Sequence, residues 1–147
     1  MSVQEVMTRE IACCPPDAKL TEVARLMVDH DCGAIPVVES QSSKKLVGIV
    51  TDRDIVRRTV AEGKNPLEMT AESCMSTSVV SAAPDASLEE CSDLMEEHQI
   101  RRIPVVDDKG ICCGVVSQAD VARKGSDRMT SEVVKKVSQP TQEASRT

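Results

Sequence analysis

The sequence predicts an α/β (α+β) fold made of two tandem β-α-β-β-α repeats packed around a pseudo-twofold axis. Three observations predict it. The first is an ordered internal repeat: Pro16-Asp17-Ala18-Lys19-Leu20 returns as Pro84-Asp85-Ala86-Ser87-Leu88, and Ile35-Pro36-Val37-Val38 as Ile103-Pro104-Val105-Val106, both at an offset of 68. Leu26-Met27 and Leu94-Met95 keep that offset, as do Val6-Met7-Thr8 and Cys74-Met75-Ser76, whereas Gly48-Ile49-Val50-Thr51 and Gly114-Val115-Val116-Ser117 stand 66 apart. Self-similarity at a fixed period marks a repeated structural unit. The second observation is that hydrophobic spacing alternates between helical and β-type along each copy. The third is size: one copy of some 60 residues buries too little surface to stand alone, so two must share a core.

Each element follows from local chemistry. Ile11 to Cys14 reads as a short strand closed by Pro15-Pro16, since proline cannot donate to a ladder. Apolar residues at 20, 23, 24 and 27 follow at helical spacing. Ile35 to Val38 and Leu46 to Val50 are β-branched runs separated by a polar Ser/Gln/Lys turn, hence a hairpin. Ile55, Val56, Thr59 and Val60 predict a closing helix that Gly63 and Pro66 end. In the second copy Ser87 and Glu90 have capping-box spacing; Lys19, at the matching place, cannot cap. The two residues lost from the second copy fall between its last two strands, where a turn absorbs them. The first repeat therefore spans 1–66 and the second 67–126. Residues 127–147 follow, with helical spacing of Val133, Val134 and Val137 over 127–139 and a Ser/Thr/Gln-rich end after Pro140 expected to be disordered.

Composition narrows the function classes. No apolar run is long enough to span a bilayer, and the start Met1-Ser2-Val3-Gln4-Glu5 lacks the basic and apolar segments of a signal peptide, so a cytoplasmic protein without membrane partners is expected. Net charge is −6 and there is no Phe, Tyr or Trp. Non-specific nucleic-acid affinity is then expected to be poor, and no aromatic ring is available for base stacking. Seven cysteines are an odd number without CxxC spacing, and Cys13, Cys14, Cys112 and Cys113 follow isoleucines as small buried hydrophobes would. No metal site is expected, and His30 and His98 read as structural.

The chemistry-bearing element is Gly-apolar-apolar-hydroxyl-x-x-Asp at the end of each third strand: Gly48 to Asp54 with Thr51, and Gly114 to Asp120 with Ser117. Two readings stand side by side. A hydroxyl followed three residues later by an acid is a helix N-cap arrangement. A carboxylate also accepts two donors, as the vicinal hydroxyls of a ribose require. Arg101-Arg102 likewise reads either as a solvated cationic face or as a guanidinium fork for phosphate, and the first copy has Gly33-Ala34 there. Arg57-Arg58 and Arg123-Lys124 read as surface. No GxGxxG, P-loop, HExxH or Gly-x-Ser-x-Gly occurs, so no catalytic residue is assigned.

The ordered set Met-Thr, Pro-Asp-x-x-Leu, Ile-Pro-Val-Val and Gly-Ile-Val-Thr-Asp-Arg-Asp-Ile, over residues 3 to about 124, resembles the CBS domain, named after cystathionine beta-synthase. The resemblance implies a pair of repeats (a Bateman module) with two clefts for AMP, ADP, ATP, NAD-type or S-adenosyl ligands, an adenine nucleotide acting as regulator and not as catalytic cofactor. It implies that one cleft uses Pro15, Cys32, Gly33 and Ala34 with Val115, Ser117, Ala119 and Asp120. The other uses Ala83, Ile100, Arg101 and Arg102 with Ile49, Thr51, Arg53 and Asp54. Backbone just before the Ile-Pro pairs reads the adenine edge, the acids take ribose, and the arginines face phosphate. It also implies a homodimer formed through helices, marked by Leu26, Met27, Leu94 and Met95, with output to a further protein that the sequence does not name. A dimerising adaptor without ligand is the alternative, and an enzyme acting in the acidic clefts is a distant third.

Overall fold

The structure is a computed structural model, and it describes residues 1–124; the predicted helix over 127–139 and the tail after Pro140 lie outside the described residues. In the first repeat, helix α1 (Leu20–Asp29) buries Leu20, Val23 and Met27, the stripe its spacing predicts. The chain leaves it through His30 and Asp31, the latter in the left-handed conformation with φ 50°. Strands β1 (Ala34–Val38) and β2 (Leu46–Thr51) pair antiparallel from Ala34↔Thr51 to Val38↔Leu46, with a bulge between Val37 and Val38. Helix α2 (Asp52–Arg58) follows β2 directly, and α3 (Ala71–Cys74) leads into the second copy. There α4 (Leu88–His98), β3 (Arg102–Val106) and β4 (Cys112–Ser117) repeat the order. A helix α5 then begins at 118 and is described to 124.

Two expectations are corrected. Ile11 to Cys14 is not a strand: it reduces to one parallel bridge, Cys14↔Val37. The Cys14 N–H donates to the Pro36 carbonyl at 3.1 Å and Val38 N–H to the Cys14 carbonyl at 2.8 Å. The ladder cannot run on, because Pro15 and Pro16 bring no N–H. The second copy keeps the same single bridge, Ala82↔Val105. The closing helix of the first repeat is likewise shorter than its pattern. It stops at Arg58, because Thr59 turns out of helical geometry (φ −122°, ψ −81°) while its Oγ1 donates to the Ile55 carbonyl at 2.6 Å. A separate 3-10 turn, Val60–Glu62, is closed by Gly63 at φ 71°. Val56 and Val60 consequently face solvent. The predicted caps fare differently: Ser87 and Glu90 form the capping box, and Lys19 gives no side-chain cap.

The described residues pack as two compact units: Glu10–Val79 with Val106–Cys113, and Met1–Arg9 with Val80–Val105 and the chain from Gly114. The lead-in segment of each repeat belongs to the unit built by the other. Val3 N–H donates to Ala86 O and Gln4 N–H to Pro84 O. At the equivalent places Ala71 N–H donates to Ala18 O and Glu72 N–H to Pro16 O. The core of the first unit is Cys14, Ala18, Leu20, Val23, Met27, Ile35, Val37 and Val50, completed by Ala71 and Cys74. Val3 is wholly buried in the second. Within the first unit Lys45 bridges Ile111 antiparallel. Those two are equivalent positions of the repeats at the 66-residue offset.

Candidate functional site

The hydroxyl–acid elements sit where a strand ends and a helix begins, and the sequence sets that junction. Thr51 keeps extended backbone as the last residue of β2 and the N-cap of α2. Asp54 N–H donates to Thr51 Oγ1 at 3.0 Å, and Thr51 N–H donates to Asp54 Oδ2 at 3.1 Å. The second copy repeats the box: Asp120 N–H to Ser117 Oγ at 3.0 Å, Ser117 N–H to Asp120 Oδ2 at 3.2 Å. The capping reading is therefore present in both copies. It uses one carboxylate oxygen of each acid. Asp54 Oδ1 accepts no hydrogen bond from a described side chain or backbone group, whereas Asp120 Oδ1 takes Arg123 Nη2 at 3.0 Å. Both acids are half-buried.

The segments expected to read adenine are tied to these junctions by backbone. Ala34 pairs with Thr51, and Asp52 N–H donates to the Gly33 carbonyl at 2.9 Å. In the second copy Gln118 N–H donates to the Arg101 carbonyl at 2.7 Å. The structure thus brings Cys32, Gly33 and Ala34 to Thr51, and Ile100, Arg101 and Arg102 to the Ser117 junction. Cys32 is half-buried, its Sγ 3.7 Å from the Ala34 carbonyl oxygen. Arg53 and Arg101 are exposed; Ala119 and Arg102 are half-buried. Pro15 and Ala83 stand at the first turn of each Pro-Asp motif, where their carbonyls accept from Ala18 and Ala86. Pro15 also lines an open pocket of about 520 Å³ with Cys13, Cys14, Thr21, Glu22 and Arg25.

Two residues escaped the sequence reading. Ile49 and Val115 each exchange a pair of backbone hydrogen bonds, with Ser76 and Thr8 respectively, at 2.9 to 3.0 Å. Thr8 and Ser76 therefore flank the strand two residues before Thr51 and Ser117. The recurrence of Met-Thr as Met-Ser was the available signal, but a repeat match alone does not say which strand a segment joins.

All seven cysteines are free thiols, five of them buried. Burial pushes the Cys14 thiol up to about 12, with neighbouring Cys13 and Glu22 adding to it. Burial also raises Cys74 and Cys91. Among the described residues no group of three or more His, Cys, Asp or Glu could hold a metal ion, and no helix is long and apolar enough to cross a membrane.

A duplicated hydroxyl–acid cap beside an Ile-Pro strand is the pattern of one family, and its model, "CBS domain", matches residues 3–61 and 71–127. The chain belongs to the CBS-domain family. It is similar to the CBS domain-containing protein YhcV of Bacillus subtilis, 45% identical over 121 residues, 82% of this chain and 83% of that protein. Hypoxic response protein 1 of Mycobacterium tuberculosis is 33% identical over 95% of each chain. The crystal structure of Hypoxic Response Protein I with two coordinated zinc ions superposes with TM-score 0.74 over 84% of this chain and 98% of its own, at 34% identity. The CBS domain pair of protein MJ0100, in complex with 5'-methylthioadenosine and S-adenosyl-L-methionine, gives TM-score 0.74 at 26% identity over 87% and 98% of the two chains. The sequence-predicted fold, α+β with small antiparallel sheets in a CBS pair, is the observed one.

Proposed function

We propose that this CBS pair is a regulatory module, not an enzyme, that binds an adenosine-containing ligand of the AMP, ADP, ATP, NAD or S-adenosylmethionine type and passes the signal on by a change of shape or assembly. The observation that carries this reading is the spare oxygen of Asp54. Its cap needs only Oδ2, which leaves Oδ1 at a half-buried position able to accept from a ribose hydroxyl. Asp120 would serve in the same way once Arg123, exposed over 62% of its side chain, moves off. The segments Cys32–Ala34 and Ile100–Arg102 offer backbone groups for the base edge, joined by Pro15, Ala83, Ile49, Val115, Ala119 and Arg53 as walls. The adenosine compounds bound by the MJ0100 pair support the ligand class. The ligand acts as a regulator, the cytoplasm is the proposed location, and a further protein reads the output.

The ligand-free adaptor remains the second reading, and one contact favours it: Arg123 already occupies the free oxygen of Asp120. Either reading includes a homodimer. Met27 and Met95 are buried inside their own units; the exposed large apolar side chains among the described residues are Met1, Val28, Val56, Val60 and Leu67, with Leu26 and Leu94 half-buried.

Titration with AMP, ADP, ATP, NAD and S-adenosylmethionine by calorimetry and dye-based thermal shift tests the proposal. A bound ligand at a hundred times its Kd stabilises the fold by about 2.7 kcal/mol. Asp54→Ala and Asp120→Ala should each weaken one binding event roughly tenfold to a hundredfold. They should also lower ligand-free stability by about 1 kcal/mol as caps. If none of the five compounds moves the melting temperature at millimolar levels, the adaptor reading stands. Light scattering on the same samples should return a dimer mass at tens of micromolar; a strict monomer would remove the assembly clause.

A further inference from the structure

The two repeats are built alike, yet their base-reading segments carry opposite charge. In the first, the position after Cys32 is Gly33, whose missing Cβ leaves room for the Asp52 side chain to lie against it. A Cβ there would lie 2.9 Å from Asp52 Oδ2 and 3.3 Å from its carboxyl carbon. The Asp52 carboxylate is laid over the Gly33 backbone, and the Asp52 N–H holds the Gly33 carbonyl at 2.9 Å. Oδ1 is fixed in turn by the Arg53 N–H at 2.8 Å. In the second repeat the same two positions are Arg101 and Gln118, joined by the same backbone bond. A carboxylate thus stands over the backbone of one segment, where the equivalent segment itself carries a guanidinium.

The neighbours reinforce the contrast. Over 31–34 together with Asp52 the charged residues are Asp31 and Asp52, a net −2; over 99–102 together with Gln118 they are Arg101 and Arg102, a net +2. A phosphate brought to the first segment meets the Asp52 carboxylate, while one brought to the second meets the exposed Arg101 guanidinium, which suits its oxygens. We propose that the Cys32–Ala34 segment selects adenosine ligands that are uncharged or cationic beyond the ribose, that Asp52 is the residue setting this preference, and that phosphorylated ligands are left to the Ile100–Arg102 segment. This rests on the proposed function, because it assumes that these segments line ligand sites. It adds the ligand class at each and a specificity residue that the sequence reading did not include.

Cys32 makes the first segment readable without disturbing either acid. Its thiol is half-buried at the segment, and its alkylation by N-ethylmaleimide, a neutral reagent, can be quantified by peptide mass spectrometry. Adenosine and S-adenosylmethionine should protect Cys32 at lower concentration than AMP. Asp52→Asn, at an exposed position, should lower the AMP midpoint about three- to tenfold, the effect of one partly screened charge at such range. It should leave the adenosine midpoint within about twofold, and about 0.5 M salt should shrink the parent's discrimination. An AMP-to-adenosine ratio unchanged by Asp52→Asn overturns the inference while leaving the proposed function in place. So does thermal stabilisation by adenosine or S-adenosylmethionine that never protects Cys32. If no adenosine compound either protects Cys32 or raises the melting temperature, both proposals fall together.

Discussion

A carboxylate has two oxygens, and the caps at Asp54 and Asp120 show why a structural role and a binding role need not compete. Each box needs only Oδ2. The sequence could present capping and ribose binding only as alternatives, because spacing says nothing of which oxygen is used. Cysteine is the other residue type whose behaviour the structure decides. Cys14 is 3% exposed and carries a thiol pushed up to about 12. A folded-state value above the ordinary 9.0 means the native state holds a proton that the unfolded chain gives up. Stability from this group is thus complete below about pH 9 and is lost as pH rises towards 12. Thermal unfolding followed by circular dichroism from pH 7.5 to 10.5 should show the melting temperature falling above pH 9. Cys14→Ala, although less stable at neutral pH because it leaves a cavity, should fall less steeply. An equal slope in both proteins would place the alkaline loss in other groups.

At the scale of elements, the exchanged lead-in segments make the two conserved-by-repeat glycines of the third strands intolerant of a side chain. A Cβ on Gly48 would stand 2.7 Å from Met75 Sδ and 3.0 Å from the Ser76 carbonyl oxygen; on Gly114 it would stand 2.5 Å from Met7 Sδ and 2.9 Å from the Thr8 carbonyl oxygen. A methionine tail can move aside, but the carbonyl belongs to the bridge that seats the segment. Gly48→Ala and Gly114→Ala should therefore each cost about 1–3 kcal/mol in denaturant unfolding; a loss below about 0.5 kcal/mol would show that the segments adjust freely. Helices α1 and α4 and both hairpins were legible, because buried Leu20, Val23 and Met27 and the β-branched runs carry strong periodicity. The strand expected at Ile11 to Cys14 was not, since four apolar residues before two prolines fit a strand and a single bridge equally. The stop at Thr59 depends on a side chain bonding back to Ile55, a choice that hydrophobic spacing does not register. Of the candidate site, the capped acids and the Ile-Pro segments were readable as motifs. Thr8, Ser76 and Asp52 were not, because each gains its place from a partner distant in sequence or from the absence of a Cβ on Gly33.

For the whole molecule, the exchange means that a repeat of sequence and a compact unit of structure are different divisions of the same chain. A fragment of residues 1–66 would carry α1, β1, β2 and α2 but lack Ala71 and Cys74, both fully buried in the core those elements form. It would also lack the backbone donors Ala71 and Glu72 that satisfy the carbonyls of Ala18 and Pro16. Its own Val3, buried on the other repeat's elements, would be left exposed. A copy of this size starts with little margin, and losing two buried core residues together with two hydrogen bonds removes several kcal/mol more. Fragments 1–66 and 67–147 should thus each be largely unfolded by circular dichroism when alone. Mixed at equal concentration they should regain helical signal, because each supplies the segment that the other's core is missing. A fragment 1–66 that melts cooperatively by itself would show that the exchanged segment is dispensable, and a mixture that stays unfolded would show that the covalent link between the repeats, and not only the exchanged contacts, is needed to hold them in register.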